Sequence, residues 1–166
     1  MQKVAGRLIR VCKFRELVDY SSGLVLQTQL AQRVSQGEPD ALLLLQHRSV
    51  YTIGKRGSLK DFKSSQEDVR KLGADVVSVA RGGEVTFHGP GQLVLYPIVN
   101  LKRLKLGARA YVESLEDTVV QLAAAYGIHA EGRQKGRTGV WTEDRKLAAI
   151  GLQFQKHMFC KPEELL

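Results

Sequence analysis

Cysteine is scarce in this chain: Cys12 and Cys160 are the only two, so no disulfide framework can form and a reducing compartment is expected. No run of about 18 apolar residues exists, which excludes a membrane-spanning helix, and the chain reads as soluble. Aromatic residues make up only 7% of the sequence, with a single tryptophan. They form no stacking motif, and neither a zinc pattern nor a recognition-helix signature accompanies them, so neither nucleic acid nor a membrane is an expected partner. His157 and Cys160 could share a metal, but no second ligand pair accompanies them and no metal site is expected. Acidic residues are absent before Glu16, while Lys3, Arg7, Arg10, Lys13 and Arg15 precede it. An organelle presequence shows that bias, and so does the basic flank of a first strand.

Repeats, low-complexity segments and linkers are also missing, so residues 1–166 read as one domain, with 43% apolar residues to build a core. Lys and Arg number 25 against 17 Asp and Glu, a formal charge of +8 whose field attracts an acidic partner. Lys102, Arg103, Lys105 and Arg109 cluster ahead of a helix and are the candidate contact for it.

Along the chain, short β-rich runs alternate with helical periodicity, the pattern of an α/β protein. Residues 8–12 suit an opening strand, with Cys12 in the core. Leu17, Val18, Leu24, Leu30 and Val34 mark a helix within residues 14–34, with Gly23 an anomaly in its middle. ALLLL at 41–45 reads as a strand buried on both faces, VYTI at 50–53 as another, and His47 as a hydrogen-bonded residue of the turn between them. Ser64 or Ser65 caps a short helix that exits through Leu72 and Gly73. The clearest helix spans residues 108–126, with Val112, Leu115, Val119, Leu122 and Ala123 on its apolar face and Gly127 as its stop. A short strand is expected at 128–130, and a hairpin from 138–142 and 146–152 around Glu143, Asp144 and Arg145. From residue 155 to 166 neither period continues, so the domain is expected to stop mid-sheet with a divergent tail.

The chemistry concentrates in residues 81–98, RGGEVTFHGPGQLVLYPI. A strand at 76–79 runs into a glycine turn bearing Arg81, Thr86 and His88, and a second strand at 93–99 leaves it. Glycines there can take positive φ and expose backbone N–H groups to a ligand. Lys146 has two readings: a half-buried ammonium serving as acid or base, or a hairpin-edge lysine in water.

That block, with HRSVYTIGKR before it and TGVWTEDRKLAAIG after it, closely resembles the lipoyl(octanoyl) transferases over about residues 8–154. The resemblance implies the biotin/lipoate protein ligase-like fold, a central mixed β-sheet flanked by helices, here incomplete at the C-terminus. It implies an acyltransferase of lipoate biosynthesis that moves an octanoyl group from octanoyl-acyl carrier protein to a lysine of lipoyl domains. The acceptors are the 2-oxoacid dehydrogenases and the glycine cleavage H protein, and the route is a cysteine acyl-enzyme that needs no ATP and no cofactor, in a monomer. Both carriers are acidic, in keeping with the charge. Carried over by motif, Arg81, Gly82, Gly83, Glu84, Val85, Thr86, Phe87 and His88 line the acyl-substrate pocket, and Ala149, Ile150 and Gly151 form its opposite wall. Lys146 lowers the pKa of the nucleophilic thiol and relays protons. An eight-carbon tail in an apolar slot contributes about 0.8 kcal/mol per buried methylene.

In that family the nucleophile sits in a Pro-Cys-Gly context after a Ser-His-Gly-x-Ala-Leu-Asn segment, and neither motif occurs here. Cys160, followed by Lys161 and Pro162, is not expected to be the nucleophile. The break after Phe154 reads as a truncated or alternatively spliced form and hence a mitochondrial chain, the alternatives being cytoplasmic if bacterial, or plastid. The alternative function is an inactive module that still binds acyl chains or carrier protein, with an ATP-dependent lipoate or biotin ligase behind it. A chain ending after a hairpin is expected to leave a sheet edge unpaired and to aggregate. A cooperative, monomeric thermal melt would contradict that.

Overall fold

The structure, a computed structural model, describes residues 8–155 and 159–163, with side chains through residue 153. The positions assigned above to Lys3, Arg7, His157 and the Cys160 side chain lie outside the described residues.

Strand β1 (Ile9–Lys13) runs parallel to β2 (Asp40–Leu45), which pairs antiparallel with β6 (Val94–Asn100). Beyond β6 come β10 (Phe159–Glu163) and β9 (Gly151–Gln155), completing a five-stranded sheet in the order β1-β2-β6-β10-β9. A second sheet centres on β3 (Val50–Ile53), parallel to β4 (Asp75–Ser78) and antiparallel to β5 (Val85–His88). Strands β7 (Val140–Thr142) and β8 (Arg145–Ala148) make a separate hairpin. The helices are α1 (Tyr20–Ser35), α2 (Gln66–Lys71), α3 (Leu101–Leu104) and α4 (Ala108–Ala125).

Neighbouring residues on β6 show how the layers form, because successive side chains of a strand point to opposite faces. Tyr96 joins Leu30, Ala31 and Val34 of α1 in one buried cluster with Ala41, Leu43 and Leu45. Leu95 packs into the other, with Val119 and Ala123 of α4 and Val140 and Ala148 of the hairpin. Helix α1 therefore covers one face of the large sheet, and α4 with the hairpin covers the other.

Gly23 proves to be a contact requirement. A Cβ there would lie 2.9 Å from Cε1 of His47. That imidazole is fully buried, its Nδ1–H donating to the Val18 carbonyl (2.8 Å) and its Nε2 accepting from the Tyr96 hydroxyl (2.8 Å). His47 is thus a hydrogen-bonded residue at the strand end, as its position suggested.

Several expectations are corrected. The tail supplies a strand: β10 enters between β6 and β9, because main-chain pairing needs no side-chain alternation, and β9 becomes the outer strand of the sheet. Pro162 is tolerated there because only Phe159 and Cys160 pair with β6, so the missing N–H falls beyond that ladder. Residues 85–88 form strand β5 in place of the expected loop, in keeping with their β-branched and aromatic side chains. Residues 128–130 are not a strand. Strand β2 alternates, with Ala41, Leu43 and Leu45 buried and Leu42 and Leu44 only half-buried. On α4, Leu122 is 49% exposed, while Tyr111 and Glu116 are buried in its stead. Ser65 is the α2 cap, accepting from the Asp68 N–H.

Gly23→Ala separates two effects of opposite sign. Helix propensity alone favours alanine by about 1 kcal/mol, whereas a Cβ against an imidazole pinned at both nitrogens costs about 1–3 kcal/mol. Urea denaturation should show net destabilisation, and a gain in stability would refute the contact.

Candidate functional site

Arg81 opens the glycine turn with its side chain turned inward, only 2% exposed. Nη1 donates to the carbonyls of Gly82 and Glu84, both at 3.0 Å, and Nη2 donates to the Thr52 carbonyl (3.0 Å) and hydroxyl (2.5 Å). A guanidinium whose donors meet backbone carbonyls from two segments stitches the turn to β3. The fit needs two glycines. Gly83 has φ 89°, and a Cβ on Gly54 would fall 2.6 Å from the Gly83 carbonyl oxygen and 2.7 Å from Arg81 Nη1. With Arg81 inside, the rest of the turn faces outward: Gly82 and Glu84 are exposed, Gly83, Val85 and Thr86 half-buried. Phe87 is 44% exposed and packs on Tyr51, with ring centroids 4.9 Å apart.

His88 ends β5 and is 1% exposed. Its Nδ1–H donates to Gln92 Oε1 at 2.8 Å, and Gln92 Nε2 donates to the Phe87 carbonyl at 3.1 Å, which fixes the amide's orientation. The His88 ring lies 6.0 Å from that of His47 and 6.2 Å from that of Tyr20. These three rings form the seam between the small sheet and the large one.

Lys146 lies on β8 directly across from Trp141 of β7. Of its two readings, the structure shows the exposed one: the side chain is open to solvent, with Nζ 4.8 Å from the centroid of the Trp141 ring. Arg137 Cζ lies 3.8 Å from the same centroid. Gly139, at φ 115°, lets the chain pass so close to β8 that a Cβ would lie 2.4 Å from the Ala148 carbonyl oxygen and 3.6 Å from Lys146 Cε. Ala149 and Ile150 follow, half-buried, with Ile150 packed against the α4 cluster, and Gly151 opens β9.

A residue that sequence reasoning missed holds this arrangement. Glu116 of α4 is 3% exposed. Its Oε1 accepts from the Gly139 N–H (2.7 Å) and its Oε2 from the Arg133 N–H (2.8 Å), clamping both ends of the loop at 133–139. Arg133 is in turn paired with Asp117, whose hydrogen bond raises its already high proton affinity. The available signal was a carboxylate on the apolar stripe of a helix, three residues before Val119. Arg137 and Trp141 were missed as a pair because stacking across a loop leaves no periodic trace.

The basic cluster at 102–109 is partly consumed internally. Arg103 donates to the Val34 and Glu38 carbonyls and to the Asp40 carboxylate, and Arg109 pairs with Glu113. A cavity of about 530 Å³ lies apart from the glycine turn and the hairpin, between α1 and β1, lined by Cys12, Phe14, Leu26, Leu30, Arg33 and Leu43 among others. Cys12 is half-buried there. In strand order it is four spacings from β9, about 19 Å at the usual strand separation. No group of three or more His, Cys, Asp or Glu among the described residues could hold a metal. No helix among them is long and apolar enough to cross a membrane.

Glu116→Ala should cost about 2–4 kcal/mol, since the buried Gly139 N–H and the part-buried Arg133 N–H lose a charged acceptor together. Hydrogen exchange should show the Gly139 amide losing protection first. A melt matching the parent, with Gly139 still protected, would exclude the clamp.

The lipoyl protein ligase A/B catalytic domain matches residues 19–161. The mitochondrial octanoyltransferase LIP2 of Arabidopsis thaliana is 43% identical over 137 residues, 82% of this chain and 58% of that protein. An octanoyltransferase of Solibacter usitatus is 42% identical over 151 residues, 89% of this chain and 68% of that protein. The chain thus spans roughly three-fifths to two-thirds of these relatives' length. Among solved structures, P. falciparum LipL1 in complex with lipoate has a TM-score of 0.71 at 16% identity, covering 97% of this chain and 48% of that one. Lipoate-protein ligase A bound with ATP also gives 0.71, at 14% identity, covering 97% of this chain and 66% of that one. At such identities the likeness bears on the fold, which is the lipoate-protein ligase-like α/β fold. By domain match and by sequence identity to its relatives, this chain belongs to the octanoyltransferases of the lipoyl protein ligase A/B family.

Proposed function

We propose that this chain serves octanoyl transfer in lipoate biosynthesis, passing the acyl group of octanoyl-acyl carrier protein toward a lysine of a lipoyl domain. The setting is mitochondrial, like that of the Arabidopsis relative. The observation that carries the reading is the surroundings of Lys146. Its ammonium is open to solvent on a hairpin whose neighbouring residues Leu147, Ala148 and Ile150 join the apolar cluster beneath α4. A cation above an apolar floor suits an acyl thioester, with its charge-developing sulfur at the cation and its tail along the floor. The outward rim of the 81–88 turn supplies the other wall, with Arg81 and His88 positioning it from inside.

In the first step a thiolate attacks the thioester carbonyl, a new C–S bond forms, the old one breaks, and the carrier leaves as a thiol after gaining a proton. In the second, the acceptor amine attacks, the C–N bond forms and the enzyme thiolate departs. Lys146 stabilises the thiolate and carries the proton between steps. Cys12 lines the cavity between α1 and β1, apart from the hairpin, and is not the thiol proposed for this role. Because no Pro-Cys-Gly motif occurs in residues 1–166, a second reading is kept: the chain binds the acyl donor without forming an acyl-enzyme. ATP-dependent ligation has less support, since the relatives above 40% identity are octanoyltransferases and the ATP-bound neighbour is 14% identical.

The test uses the chain alone and the chain extended by a family segment bearing Pro-Cys-Gly, each incubated with octanoyl-acyl carrier protein and a lipoyl domain. Mass spectrometry of the acceptor should show octanoylation by the extended form, reduced about 100-fold or more by Lys146→Ala. No transfer by the extended form sinks the proposal. Donor binding by the unextended chain without a covalent adduct is the outcome expected of the second reading.

A further inference from the structure

We propose that Arg137 and Lys146, both resting on the Trp141 ring, form an oxyanion-binding site in which Arg137 is a second anion-holding residue. The proposal deepens the octanoyl-transfer reading, from which the importance of Lys146 comes, but its geometry is independent of it.

Arg137 Cζ and Lys146 Nζ lie 3.8 Å and 4.8 Å from one ring centroid. Their charges are therefore no more than about 9 Å apart, comparable with the Debye length at physiological salt. Neither forms an ion pair with a carboxylate among the described residues, whereas Arg133, on the same loop, is taken up by Asp117 and Glu113. Two cations within that distance and without carboxylate partners make the surroundings of the ring favourable for an anion. The backbone that carries them is held in place. Glu116 anchors the loop on either side of Arg137, at the Arg133 and Gly139 amides, and Lys146 stands on β8 directly across from Trp141. The buried indole N–H of Trp141 also has no acceptor among the described residues. The planar fork of Arg137 can engage two oxygens of a carboxylate or phosphate at once, with Lys146 as a point charge beside it. Two sources carry that chemistry: the head of a medium-chain acyl ligand lying toward Ile150, or a phosphate on the arm that delivers the acyl group.

Trp141 is the only tryptophan in the sequence, so its fluorescence reports this site alone. Titration of the purified chain with octanoate and, separately, inorganic phosphate, at ionic strength fixed with sodium chloride, should give a saturable change with at least one of them. Tighter octanoate binding assigns the acyl head, and tighter phosphate binding the arm. Arg137→Gln should weaken the apparent affinity about tenfold. Arg145→Gln, which removes the same charge from the same hairpin but not from the ring, should leave it unchanged. No saturable response to either anion, or equal losses in the two variants, overturns the site. Anion binding without transfer by the extended chain defeats the transfer reading and leaves this site standing. Transfer without an Arg137-dependent response does the reverse.

Discussion

A guanidinium taken out of water is tolerated only where its N–H groups find acceptors, and the burial of Arg81 at 2% exposure is the constraint that shapes the glycine turn. Its donors draw in the carbonyls of Gly82, Glu84 and Thr52, which joins the turn to the central strand of the small sheet. Gly54 and Gly83 are consequences of that one buried ion: the first because a side chain would collide with the Gly83 carbonyl and Arg81 itself, the second because the chain turns through positive φ between the Gly82 and Glu84 carbonyls that Arg81 bonds. The motif that looks like a ligand loop is therefore first a self-satisfied backbone structure, and its outward rim is what remains for a ligand.

Glu116 plays the complementary part in the loop that leads into β7. There a buried carboxylate accepts two backbone N–H groups and fixes the segment. Together the two ions hold rigid, from within, the two segments that carry the family's signature residues. The seam of Tyr20, His47 and His88 rings, backed by Tyr96, joins the sheets between them. Preorganised backbone around an exposed cation is what an acyl-transfer site needs, since positioning and charge stabilisation do most of the chemistry.

The elements legible in the sequence were those with a local cause. Short apolar and β-branched runs located β1, β2, β3 and β6, while Ser65 and Gly127 marked helix ends through hydrogen bonding and φ. What stayed hidden depended on distant partners. Gly23 looked like a helix defect because nothing local reveals an imidazole 24 residues further along the chain. Strand β10 carries no alternation, and only the backbones of β6 and β9 recruit it. Glu116 looked like a flaw in an apolar stripe until the amides of Arg133 and Gly139 were beside it. The glycine turn and Lys146 were legible as places, but the inward direction of Arg81 and His88 was not, since residue type fixes chemistry and leaves orientation to packing.

Charge follows the same logic. The cluster at 102–109 looked like the natural contact for an acidic partner, yet Arg103 and Arg109 are occupied, while Arg137, Arg145 and Lys146 stand exposed on and beside the hairpin. The hairpin that holds Lys146 therefore carries exposed positive charge free of such pairing among the described residues, which long-range attraction of an acidic partner can use. The most direct discrimination is where an acyl chain rests. The cavity of about 530 Å³ between α1 and β1 is a rival location for it. Photolabelling with an eight-carbon acyl analogue, followed by peptide mapping, decides between them. Adducts on residues 81–88 and 149–151 are the predicted result, and adducts confined to Cys12, Phe14, Leu26 and Leu30 would contradict it.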